Sequence, residues 1–167
     1  MNQTITKTRQ INQAANPVFK LTNTTFFSQP LVIKINRFSL FVVFFWFGIL
    51  KVLSISPAES LVTHLHELTV SQFISINNFL ILLGLLECSI GILWLFPRWT
   101  KLAFILFTAQ MFTTFLPMIF LPKETWQNSF VLTLTGQYII KNLVLIASAL
   151  TIVSYSNINP FQIRNSN

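Results

Sequence analysis

Hydrophobic residues in this chain gather into four long blocks, separated by short segments where polar and charged residues concentrate. The first block runs from Leu31 to Ile55, with its spanning part at about 35–55 and its densest run from Phe38 to Leu53. The second is Asn77 to Phe96, the third about Trp99 to Leu121, and the fourth about Gly136 to Ser154. A helix of roughly 20 residues crosses the ~30 Å hydrocarbon core of a bilayer. Lipid offers no water to exposed peptide groups, so apolar blocks of this length are read as helices, whose backbone bonds close internally. The expected fold is all-α, an integral membrane four-helix bundle of up-down-up-down topology over residues 31–155. Residues 1–30 read as a flexible basic tail and residues 156–167 as a second polar tail.

The connections add detail. Ser56-Pro57-Ala58-Glu59 fits a capping box with proline at the first helical position. The segment after it places Leu61, Leu65 and Leu68 on one side, which predicts a short amphipathic helix on the membrane surface between the first two spans. Pro97 and Arg98 end the second block, and residues 97–100 form a tight turn, so the second and third helices are expected to be antiparallel neighbours. Pro117 should kink or end the third helix, with Thr113 and Thr114 taking up freed carbonyls. Residues 122–135 form the other loop on that side.

Composition supports lipid as the solvent. Hydrophobic residues make up 53% of the 167 residues, charged ones only 9%, and mean hydropathy is +0.64. Soluble domains carry about 25% charged residues. The net charge of +7 changes the picture through its placement. Lys7, Arg9, Lys20, Lys34 and Arg37 precede or begin the first helix, Arg98 and Lys101 lie between the second and third, and Arg164 is in the final tail. The opposite side has Lys123 against Glu59, Glu67 and Glu124. By the positive-inside rule both termini are expected in the cytoplasm. No basic helix with interleaved polar groups exists to grip a phosphate backbone, so nucleic acid is not expected as a partner.

One acid, Glu87, falls inside an apolar block. Its insertion costs at least ~2.5 kcal/mol, and Gly84 and Gly91 share its helix face, where another helix can approach closely. Counting from the helix ends at about 1.5 Å per residue puts Glu87 roughly 15 Å deep and Lys141 roughly 7 Å deep. Lys51 lies near the outer end of the first helix and Gln110 near the middle of the third. The simplest pairing is Glu87 with Lys141, with Lys51 and Asn142 as second partners. Two lysines against one glutamate leave a surplus positive charge, and with aromatic walls from Trp46, Phe47 and Tyr138 the cluster could hold a small anion or a quinone head group. The candidate ligand-binding residues are therefore Glu87, Lys141, Lys51, Asn142 and Gln110. The same residues also fit an ion pair that only fixes helix register, with lysines that snorkel to the interface.

Other chemistry is weaker. His64 and His66 are two apart and point to different faces of a helix, so they read as interfacial side chains and no metal site is expected. Cys88, the single cysteine, reads as a packing residue about 100° away from Glu87. Trp94, Trp99 and Trp126 suit interfacial belts. No hydrolase, kinase or dinucleotide motif is present.

With these strings in view, the chain resembles the DoxX-like family of small four-helix membrane proteins. RFSLFVVFFWFGILK, Arg37 to Lys51, is similar to the family's arginine–glycine–lysine pattern. LLGLLECSIGILWLF resembles its glycine–glutamate–glycine pattern around Glu87, and LTLTGQYIIKNLVLIASAL, with Gly136, Lys141 and Asn142, resembles the segment that closes many members. The resemblance covers roughly residues 35–155. It implies a four-helix scaffold in the inner (cytoplasmic) membrane, and some relatives are implicated in oxidoreductase assemblies, including thiosulfate:quinone oxidoreductase, and in redox-stress defence. The expectation is a non-catalytic or accessory membrane subunit of a redox or oxidative-stress system, with a quinone as candidate cofactor. Its expected partners are the lipid bilayer, oxidoreductase subunits and a second copy of itself. A small transporter or proton-conducting protein, with Glu87 changing protonation, and a purely structural membrane partner are the rival readings.

Overall fold

The computed structural model describes residues 28–128 and 130–158. The basic tail expected over 1–30 lies outside the described residues up to position 27, as do Arg164 and most of the tail expected over 156–167. Helix α1 spans Gln29–Val52, α2 Glu59–Thr69 and α3 Ile76–Leu95. A 3₁₀ turn at Pro97–Trp99 leads into α4, Thr100–Phe115, followed by two short helices, α5 at Pro117–Phe120 and α6 at Pro122–Thr125. A small antiparallel hairpin pairs β1, Trp126–Asn128, with β2, Val131–Leu132. Helices α7, Leu134–Ile140, and α8, Asn142–Ile158, complete the described chain.

Four helical stretches are long and apolar enough to cross a membrane: Gln29–Val52, Ile76–Leu95, Pro97–Phe120 and Leu134–Asn157. Phe38, Trp46, Ile105, Phe112 and Val144 are all more than half exposed on them, as a surface in contact with acyl chains requires. The chain is a multi-pass membrane protein.

The buried residues of α1 are Ile33, Arg37, Leu40, Phe44, Gly48 and Lys51. Steps of three and four keep them on one helix face. On α3 the same spacing buries Leu80, Gly84, Glu87, Ile90, Gly91 and Trp94. These two faces meet along their length and run in opposite directions. A Cβ placed on Gly48 would come within 2.7 Å of the Gly84 carbonyl, and one on Gly91 within 3.0 Å of the Phe45 amide. Glycine at 48 and 84 is what allows the backbones this close. Helix α8 packs on α1 and α4, and α4 packs on α3. Leu40, Phe44, Ile90, Trp94, Ala103, Phe107, Ala149 and Ile152 form the core between them. Phe44 stacks tilted on Phe107 and Trp94 meets the same ring edge-on, the arrangements that aromatic quadrupoles favour.

Several local expectations change. The capping box does not form: Ser56 Oγ accepts from the Ala58 amide, and α2 starts at Glu59 behind an uncapped Ala58. Leu68 is exposed, while His66 is the buried residue of that helix. The third span does break at Pro117, which has no N–H to donate. Thr113 O is taken instead by the Leu116 amide, and the Thr113 and Thr114 hydroxyls both donate to Gln110 O. The fourth span is divided at Lys141 between α7 and α8. Thr133 caps α7 by accepting from the Gly136 amide at 3.1 Å.

Candidate functional site

Depth counting placed four polar residues in one half of the molecule; the packing of α1 on α3 decides which of them meet. Lys51 ends the buried stripe of α1, directly opposite the Gly84–Glu87 turn of α3. Its Nζ donates to Glu87 Oε2 at 2.5 Å. From α4, Gln110 Nε2 donates to Glu87 Oε1 at 3.0 Å. Both carboxylate oxygens are therefore engaged, by donors from two different helices. Lys51, Glu87 and Gln110 are 7, 8 and 5% exposed, so the cluster is buried. The two threonine hydroxyls on Gln110 O tie down the backbone from which its amide projects.

Lys141 is not part of this cluster, which corrects the pairing expected from depth. It is exposed, at the break between α7 and α8, and its Nζ sits 4.0 Å from the centre of the Tyr138 ring. Tyr138 is one turn earlier, so the ammonium folds back along the helix toward the end of the span, as a snorkelling lysine does. Asn142 is half-buried beside it and takes no part in the Glu87 bonds. Depth along a helix axis carries no information about azimuth, and the two lysines differ in azimuth. The surplus positive charge expected at the cluster is absent, because one lysine faces one glutamate. Trp46, Phe47 and Tyr138 are 62, 47 and 57% exposed, so they do not wall it.

The most informative residue that sequence reading left out of the candidate site is Arg37, taken there as a helix start, a topological charge and part of the family resemblance. It is 6% exposed. Nη1 donates to the Trp94 carbonyl at 3.1 Å, and Nη2 to Thr100 Oγ1 at 2.7 Å and Ser156 Oγ at 3.4 Å. One guanidinium thus joins α1 to the end of α3, the start of α4 and the last turn of α8. The signal was available: Arg37, Leu40, Phe44, Gly48 and Lys51 follow one another at helical spacing, so Arg37 shares the face that Lys51 and Gly48 bury.

The remaining candidates have structural places. Trp94 is fully buried in the core, and its Nε1 has no hydrogen-bond partner among the described residues. Trp99 is 42% exposed with Arg98 over its ring at 5.2 Å. His66 is buried against Phe79, its Nε2 2.8 Å from Ile74 O, and so fastens the turn between α2 and α3. His64 is exposed and meets Glu124 at 2.7 Å, linking the two loops at that end. Cys88 Sγ lies 3.7 Å from Phe45 O, in the α1–α3 contact. Among the described residues no three His, Cys, Asp or Glu side chains are grouped to hold a metal. No family model, curated protein or solved structure matches the chain.

Proposed function

We propose that this is a DoxX-like inner-membrane protein, an up-down-up-down four-helix bundle with both termini cytoplasmic, and that it serves as a non-catalytic membrane subunit of a redox or oxidative-stress system. The observation that carries the reading is the Lys51–Glu87–Gln110 cluster. Intramembrane ionisable groups are costly and most often mark function, and this one assembles an acid, a base and an amide from three helices. The charge balance favours a neutral ligand over an anion. A quinone head group brings two carbonyl acceptors that the Lys51 ammonium and the Gln110 amide can serve, and the exposed aromatic and aliphatic faces of α1 and α4 suit its isoprenoid tail.

A second reading has an observation of its own. Both Glu87 oxygens are already satisfied within the protein, as in an ion pair that sets helix register and nothing more. The two separate in a thermal-stability screen of detergent-purified protein against quinones and sulfur oxyanions, alongside Glu87→Gln and Lys51→Met. A quinone that raises the melting temperature of the wild type and of neither variant supports the subunit reading. No shift with any ligand, together with strongly destabilised variants, leaves the structural one.

A further inference from the structure

The two ends of the helices differ in charge. Every acid of the chain sits at the Lys51 end or in the cluster. Glu59 and Glu67 are in α2, Glu124 in α6 is tied to His64 of α2, and Glu87 is tied to Lys51. At the other end Arg37 is buried with no carboxylate within ion-pair distance among the described residues, and its acceptors Trp94 O, Thr100 Oγ1 and Ser156 Oγ are neutral. Lys34, exposed, lies one turn before it on α1, and exposed Arg98 and Lys101 flank Thr100. A guanidinium is always charged. Among the described residues, four cations at this end, one of them buried, therefore have no carboxylate partner.

The surroundings show what supplies it. Phe38, Phe96, Trp99 and Leu102 are 59, 51, 42 and 41% exposed beside these cations, so the basic rim borders a surface fit for acyl chains. We propose that this end is a binding site for an anionic phospholipid, whose phosphate is held between Arg98, Lys101 and Lys34 in the field of the buried Arg37, while its chains lie along the apolar faces of α1 and α4. The C-terminus of α3 and the neutral hydroxyls orient Arg37; the lipid supplies the negative charge that the described residues do not place there. Basic groups between membrane helices recognise anionic head groups in this way.

The test uses the full chain in mild detergent, with its melting temperature followed against phosphatidylglycerol, phosphatidylcholine and inorganic phosphate. Arg98→Gln combined with Lys101→Gln alters exposed residues only, so it leaves the buried hydrogen bonds of Arg37 in place. The expected result is stabilisation by phosphatidylglycerol at a concentration at least about tenfold below that of phosphatidylcholine, with the double variant needing about tenfold more. Equal stabilisation by the two lipids, an equal effect of inorganic phosphate, or a double variant that responds like the wild type would each overturn the proposal.

Discussion

Helix α1 buries two cations on one face, Lys51 and Arg37, and the protein treats them in opposite ways. Lys51 meets a carboxylate on α3 at 2.5 Å, so its charge is cancelled. Arg37 meets a carbonyl and two hydroxyls, so its charge persists. The chemistry of the side chains explains the difference. An ammonium is a compact point charge best answered by one opposite charge, whereas the planar guanidinium spreads five donors over several neutral acceptors. One acceptor of Arg37 is the carbonyl of Trp94 in the last turn of α3, where the helix dipole presents its negative end. Burial of a cation in lipid is therefore met by neutralisation at one end and by distributed hydrogen bonding at the other.

The largest expected effect breaks the neutralised site from one side. Lys51→Met leaves Glu87 buried with only Gln110 as donor and should cost about 3–5 kcal/mol, measured by reversible unfolding in mixed micelles. Arg37→Met leaves neutral acceptors and no orphaned charge, so its expected cost in the same assay is smaller, about 1.5–3 kcal/mol. Equal costs would erase the distinction between the two ends. Gln110→Leu sharpens the comparison further: Glu87 keeps its counter-ion and loses one donor, for an expected loss of about 1–2 kcal/mol. The smallest effect belongs to the exposed His64–Glu124 pair, where His64→Ala should change stability by less than about 1 kcal/mol, a difference that fades at high salt.

The inward-facing acid and the glycines around it were legible in the sequence, because an isolated carboxylate in an apolar block has few places to go and Gly84 and Gly91 share its face. Lys51 and Gln110 were legible as members of the cluster. Lys141 was drawn in by depth alone. Its exclusion depends on the azimuth of α8 and on the helix break at residue 141, which follow from packing rather than from spacing. Arg37 was hidden by its position near a helix start, where a basic residue reads as a topological marker; only the stripe from 37 to 51 reveals its burial. Trp94 was assigned to an interface for the same reason, yet the Phe44–Phe107 layer encloses it. The hairpin at 126–132 had no alternating pattern long enough to announce it.

The central claim is that Lys51, and not Lys141, is the partner of Glu87. A double-mutant cycle decides it most directly, using Glu87→Gln with Lys51→Met and, separately, with Lys141→Met. Groups in direct contact show coupling of about 0.5–3 kcal/mol, whereas distant ones add within about 0.5 kcal/mol. The expected result is coupling of about 2 kcal/mol or more between Lys51 and Glu87 and simple additivity between Lys141 and Glu87. Strong coupling to Lys141, with additivity at Lys51, would contradict the account.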